Sequence, residues 1–131
     1  MVRRGLQEVV EDEFFIAVDI EAALTQEGAE VVGPFSVLEE ALAAAETEAL
    51  SLAVLDIRLA GTNTQRVCDV LDDRGIPFFF HSGQPLPESM AVKYGQIPFI
   101  DKPARMSELV DAARLLNQAT PANGGKRRQS R

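Results

Sequence analysis

Residues 52–61 read LAVLDIRLAG: four apolar residues, Leu52 to Leu55, run directly into an acid, Asp56. A short unbroken apolar run suits a strand buried on both faces of a parallel sheet, and an acid at its end lies where such sheets bind ligands. Similar β-rich runs occur at Leu6–Val10, Ala29–Phe35, Pro77–Phe80 and Ile97–Ile100. Between them the apolar spacing is helical. Phe15 to Glu27 places Ile16, Ile20, Ala23 and Leu24 on one face, and Gly28 offers a stop. Val37 to Ala49 is rich in Ala, Glu and Leu, with Ser36 as the expected N-cap. Asn63 to Arg74 presents Val67, Val70 and Leu71, and Arg105 to Gln118 presents Leu109, Ala112, Ala113 and Leu116.

This alternation predicts βαβ units in an α/β, flavodoxin-like, doubly wound five-stranded parallel sheet of order 2-1-3-4-5. Two segments fit it less well. The first strand should be central, yet it contains Gln7 and Glu8. The fourth helix has only residues 86 to 95 to use, between Pro85, Pro87, Gly95 and Pro98, so a short or irregular helix is expected.

The 131 residues suit one domain, expected over residues 1–119. A hydrophobic fraction of 46% suits a globular chain, and no apolar stretch approaches the roughly 20 residues that cross a bilayer. The start, MVRRGLQEVVEDE, has no apolar run that would make a signal peptide. A lone cysteine, Cys68, forms no internal disulfide, which suits a cytoplasmic setting. The net charge of −7 hides an asymmetry, because Lys126, Arg127, Arg128 and Arg131 fall in the last six residues. Residues 1–119 therefore carry nine basic and twenty acidic side chains, a body that repels nucleic acid. The remaining 120–131 are expected to be a disordered basic tail.

Chemistry is expected beyond the carboxyl ends of the strands. The predicted strands deliver Glu11-Asp12-Glu13, Asp56, His81-Ser82-Gly83 and Asp101-Lys102-Pro103 there. Neighbouring strands lie about 4.8 Å apart, so the acids of the first and third converge. At ~4 Å and an effective dielectric near 20, two carboxylates repel by about 4 kcal/mol, which calls for a positive partner. Oxygen-only donors select a hard cation, and inside cells that is Mg²⁺. An Asp beside Mg²⁺ is a competent phosphoryl acceptor, with Ser82 donating to one phosphoryl oxygen and Lys102 neutralising another. Taken singly, such an acid is as often a turn former. Their occurrence at successive strand ends is what independent turns would not produce.

VVEDE (9–13), LAVLDIRLAG, FFFHSG (78–83) and FIDKP (99–103) together resemble the CheY-like receiver domains of response regulators, over about residues 5 to 118. The resemblance implies a phosphoacceptor at Asp56. It also implies Mg²⁺ held by Asp12 directly, by Glu11 through water, by Asp56 and by the backbone carbonyl of Arg58. Ser82 takes the family's hydroxyl position, Lys102 its lysine, with Pro103 after a cis bond, and Phe99 its switch aromatic. The segments IPFFFHSGQP and IPFIDKP are similar to the FATGUY subgroup. The sequence departs from that pattern at His81-Ser82-Gly83-Gln84 and at Ala104.

The resemblance implies a two-component signalling protein rather than an enzyme with outside substrates, catalysing only its own phosphoryl transfer and autodephosphorylation. Its expected partners are a sensor histidine kinase or phosphotransfer protein and a downstream protein target, with no nucleic acid or membrane, as a monomer or weak dimer. Without an output domain, action through protein contacts is expected. A haloacid-dehalogenase-like phosphatase needs a second acid two residues after the first, where Arg58 stands. A flavodoxin phosphate loop is incompatible with Glu11-Asp12-Glu13. A pseudo-receiver that works without phosphorylation is the remaining alternative. His81 is read as structural, Cys68 as a small buried hydrophobe, and Arg58 and Gln84 as residues bordering the acceptor.

Overall fold

The computed structural model describes residues 5–119; the basic tail expected at 120–131 lies outside them. Strands β1 (Leu6–Val10), β2 (Glu30–Phe35), β3 (Leu50–Leu55), β6 (Phe78–Ser82) and β7 (Phe99–Asp101) form one parallel sheet of order β2-β1-β3-β6-β7. Two short strands, β4 (Arg58–Leu59) and β5 (Thr62–Asn63), pair antiparallel as a separate ribbon. With that ribbon set aside, the order is the expected one. Helices α1 (Phe14–Gln26) and α5 (Met106–Ala119) cover one face around Val9, Ile20, Leu24, Val54, Phe79 and Leu109. Helices α2 (Leu38–Thr47), α3 (Gln65–Asp73) and α4 (Glu88–Tyr94) cover the other around Leu55, Val67, Leu71, Phe78, Phe80 and Met90. Among the described residues, no helix is long and apolar enough to cross a membrane.

Several boundaries differ from expectation for local reasons. Gly28 ends α1 as expected, at φ 94°, with its N–H donating to Thr25 O. Ser36 does not cap α2. The N-cap is Val37, extended and without a side-chain bond, and Glu39 and Glu40 place acids in the first turn instead. Helix α3 starts at Gln65 rather than Asn63, because Asn63 pairs with Arg58 while its Oδ1 accepts the Gln65 N–H at 3.0 Å. The turn of that ribbon is Ala60-Gly61, at φ 46° and 87°, the doubly positive geometry of a type I′ hairpin. Strand β6 runs on through His81 and Ser82, so both belong to the strand.

Helix α4 has only seven residues, starting after Pro87 and ending before Gly95. Such a length is unstable alone, so packing must hold it. Met90 and Tyr94 are its buried residues. The Tyr94 ring meets Phe78 edge-on at 5.7 Å, its hydroxyl donates to Asp69 of α3, and Lys93 Nζ reaches Asp69 at 3.1 Å.

Strand β1 is buried despite its polar residues: Gln7 is 1% exposed and Glu8 0%. By strand alternation Glu8 shares the face of Leu6 and Val10, towards the alanine-rich side of α2 at Ala41 and Ala45. Neither Glu8 carboxyl oxygen has a hydrogen-bond partner. Burial, and then the charge of Glu48, push its pKa up to about 8, so the folded chain holds Glu8 as the neutral acid at neutral pH.

The unfolded chain gives up that proton near pH 4.5 and the folded chain only near 8. The stability tied to Glu8 is therefore complete below pH 4.5 and is lost at about 1.4 kcal/mol per pH unit on the way up to 8. Glu8→Gln removes the titration, so its melting temperature relative to wild type should rise steadily from pH 5 to pH 8. A gap independent of pH would show that Glu8 is ionised in the fold.

Candidate functional site

At the carboxyl edge of the sheet, β1 delivers Glu11, Asp12 and Glu13, β3 delivers Asp56, β6 ends in Ser82, and Lys102 follows β7. The sheet register brings them together: the Asp56 N–H donates to Val10 O at 2.9 Å, and the Lys102 N–H to Ser82 O at 2.9 Å. A cavity of about 410 Å³ opens above them, lined by Asp12, Asp56, Arg58, Ser82, Gln84 and Lys102 among others. All the site residues expected at this edge converge there, with Glu11 buried behind Lys102 rather than lining the cavity.

The positive partner that the acid cluster requires is Lys102. Its Nζ donates to Glu11 Oε2 at 2.9 Å, to Glu13 Oε1 at 2.7 Å and to Asp56 Oδ2 at 2.8 Å. Burial opposes the ammonium, but the hydrogen bonds to Asp56, Glu13 and Glu11 outweigh it and hold the Lys102 pKa above the usual lysine value. Burial raises the pKa of Glu11, with the Lys102 bond pulling the other way and Asp56 adding to the rise. The remaining Asp56 oxygen, Oδ1, accepts the Ile57 N–H at 2.7 Å, which fixes the plane of the carboxylate. Asp56 is 8% exposed, so one edge faces the cavity.

One oxygen from each of Glu11, Asp12 and Asp56 lies within 4.8 Å of the others. The cluster has no sulfur or imidazole, and Glu11 Oε1 is buried without a hydrogen-bond partner. Oxygen-only donors with an unsatisfied buried oxygen fit a hard divalent cation.

The loop after β3 is built to present this acid. The Thr64 hydroxyl, fully buried, donates to Asp56 O at 2.8 Å and lies 3.2 Å from Ile57 O, tying the loop carbonyls to the start of α3. The Ala60 N–H, at the hairpin turn, donates to Asp12 Oδ2 at 3.1 Å, while the Arg58 guanidinium bonds Gly61 O at 2.9 Å. Neither Thr64 nor the third acceptor, Glu13, is assigned a role by sequence reasoning. The Ala-Gly pair between Leu59 and Thr62 is the local signal for the hairpin. For Glu13 the only signal is its place in the acid run.

Ser82 is 2% exposed and its Oγ accepts the Gln84 N–H at 3.2 Å. His81 is buried at 2%, with neither nitrogen hydrogen-bonded and Nδ1 3.9 Å from Glu11 Oε1. Burial first, then Lys102, lowers its pKa, so it is a neutral packing residue out of reach of a phosphoryl donor. Cys68 is a fully buried apolar filler whose thiol is pushed up to about 12 by burial. Phe99 is half-buried, its ring 6.2 Å from that of Phe80. The Lys102–Pro103 bond is cis, as expected.

No protein-family model matches the chain, and no curated protein matches it by sequence. Solved structures do. The HemR receiver domain from Leptospira biflexa superposes with a TM-score of 0.77 at 22% identity, over 89% of this chain and 97% of its own. A CheY-like response-regulator receiver domain from Methanospirillum hungatei gives 0.74 at 23%, over 89% and 96%. The receiver domain of a sensor histidine kinase from Pseudomonas aeruginosa, with a magnesium ion coordinated in its active-site cleft, gives 0.74 at 18%, over 90% and 100%. The chain therefore has the fold of CheY-like receiver domains.

Removing Lys102 leaves Glu11 buried without its counter-charge. Lys102→Ala should cost about 3 kcal/mol of stability at pH 8, the low end for a buried pair that loses one partner. The loss should shrink at pH 5, where Glu11, its pKa already raised, takes up a proton instead. Denaturant unfolding at both pH values measures this, and an equal loss at both would place the charge of Glu11 elsewhere.

Proposed function

We propose that this chain is a response-regulator phosphoacceptor of a two-component system. Asp56 accepts a phosphoryl group from a histidine kinase or phosphotransfer protein, and a downstream protein reads the result in the cytoplasm. The observation that carries this reading is Asp56 itself: one carboxylate edge open to a cavity, a lysine on one oxygen, and two further acids within cation-binding distance.

In the transfer, an Asp56 carboxylate oxygen forms a bond to phosphorus as the P–N bond to the donor imidazole breaks. The imidazole leaves with the bonding pair and recovers a proton from solvent. Lys102 and Ser82 then bind phosphoryl oxygens, one through its ammonium and the other through its hydroxyl. Glu11, Asp12, Asp56 and the carbonyl of Arg58 would hold Mg²⁺, which supplies neutralisation of the charge gathered on the phosphoryl oxygens. The chain catalyses only this transfer and the later hydrolysis of its own acyl phosphate. Movement of Ser82 and Lys102 onto the phosphoryl group frees space beside Phe99, which passes the change to the surface of α4, β7 and α5.

Asp56→Asn should abolish phosphoryl incorporation from acetyl phosphate and Mg²⁺, read as intact mass. Label on another residue would overturn the assignment, and an unlabelled wild type would favour a pseudo-receiver. Millimolar Mg²⁺ should raise the melting temperature of the wild type, because a ligand of the native state stabilises it by mass action, and Asp12→Ala should lose that response. A wild-type melting curve indifferent to Mg²⁺ would remove the metal from the site.

A further inference from the structure

The three ammonium protons of Lys102 are all engaged, on Glu11, Glu13 and Asp56. The three acceptors differ sharply in exposure: the side chains of Glu11 and Asp56 are 1% and 11% exposed, that of Glu13 59%. A buried carboxylate that loses its cation has nothing to replace it, whereas an exposed one is rehydrated at once. Phosphorylation takes the carboxylate charge from the Asp56 oxygen that Nζ now holds and sets three acceptor oxygens with about −1.5 to −2 charge further out, so the ammonium must move towards them and away from a glutamate. The bond to Glu13 is the cheapest to release. Glu13 is also placed for this contact by its backbone. It occupies the N-cap of α1 without a side-chain cap bond, and its N–H donates to Glu11 Oε2 at 3.2 Å.

We propose that Glu13 is a latch on Lys102, a positioning residue that holds the ammonium in the unphosphorylated arrangement and sets how readily it swings onto a phosphoryl group. The proposal rests on the reading of Asp56 as phosphoacceptor. It adds a residue that acts through Lys102 and touches no reacting atom.

Phosphorylation of Asp56 by acetyl phosphate in saturating Mg²⁺, where the P–O bond breaks and acetate leaves, tests it by intact mass. Glu13→Ala should raise the apparent second-order rate constant about two- to fivefold, the scale of a half-exposed ion pair. Glu13→Gln keeps an acceptor oxygen without the charge and should fall between Ala and wild type. In a Lys102→Ala background Glu13→Ala should change nothing, which a purely structural role at the start of α1 would not predict. Weaker repulsion of the anionic donor is the rival cause. It would act equally in Ala and Gln, persist without Lys102 and vanish in about 0.5 M salt. That pattern overturns the latch. Labelled wild type with unchanged Glu13 variants overturns the latch alone, and unlabelled wild type overturns the phosphoacceptor reading and the latch with it.

Discussion

One ammonium group ties the site together. Lys102 draws Glu11 and Glu13 after β1 and Asp56 after β3 onto a single nitrogen that follows β7, so three separate stretches of chain meet at one point. Four carboxylates, counting Asp12, share this edge with two cations, Lys102 in their midst and Arg58 at the rim, so the carboxylates outnumber the cations. Lys102 is the cation hydrogen-bonded to these acids, while the Arg58 guanidinium is turned to Gly61 O, so the geometry is satisfied without the charge. That imbalance is the physical reason the edge suits further positive charge: Asp12 stands exposed with the Ala60 N–H on one oxygen, and Glu11 keeps a buried oxygen without a partner among the described residues.

The polar character of the edge continues into the sheet. Glu8 on β1, Glu11 just past its end and His81 two strands away on β6 are all at most 2% exposed, and each has a side-chain atom without a hydrogen-bond partner among the described residues. Buried polar groups without partners are costly, and a fold with several of them gives up stability. The apolar layers offset that cost. The three phenylalanines of β6 are fully enclosed, Phe78 and Phe80 beneath α3 and α4 and Phe79 beneath α1 and α5. The same layer holds α4, whose seven residues depend on Met90 and Tyr94 for their position. The helix beside the site thus draws its order from contacts with β6 and α3 rather than from its own backbone.

The fold was legible because it depends on period. Apolar runs of strand length alternating with helical spacing leave few arrangements other than a doubly wound parallel sheet, and Leu52–Asp56 marks its centre. The acids at the strand ends were legible for the same reason: once strands are parallel, their carboxyl ends share one edge. Pro87 and Gly95 bracket α4 as the sequence suggested. Ser36 failed as a cap because the chain is extended at Val37, which takes the N-cap position itself.

The sequence by itself determined the sheet, its order, and the set Glu11, Asp12, Asp56, Ser82 and Lys102 at one edge, since alternation and strand polarity follow from local spacing. Tertiary structure alone decided which acids Lys102 binds. Its reach across to β1 depends on the register of three parallel strands and on the depth at which each side chain is buried. Glu13 and Asp12 are neighbours in sequence, yet one is drawn onto the ammonium and the other onto the hairpin N–H of Ala60. Burial also settled the charge of Glu8 and of His81, because removal from water raises the pKa of an acid and lowers that of a base, and no residue pattern along the chain encodes depth.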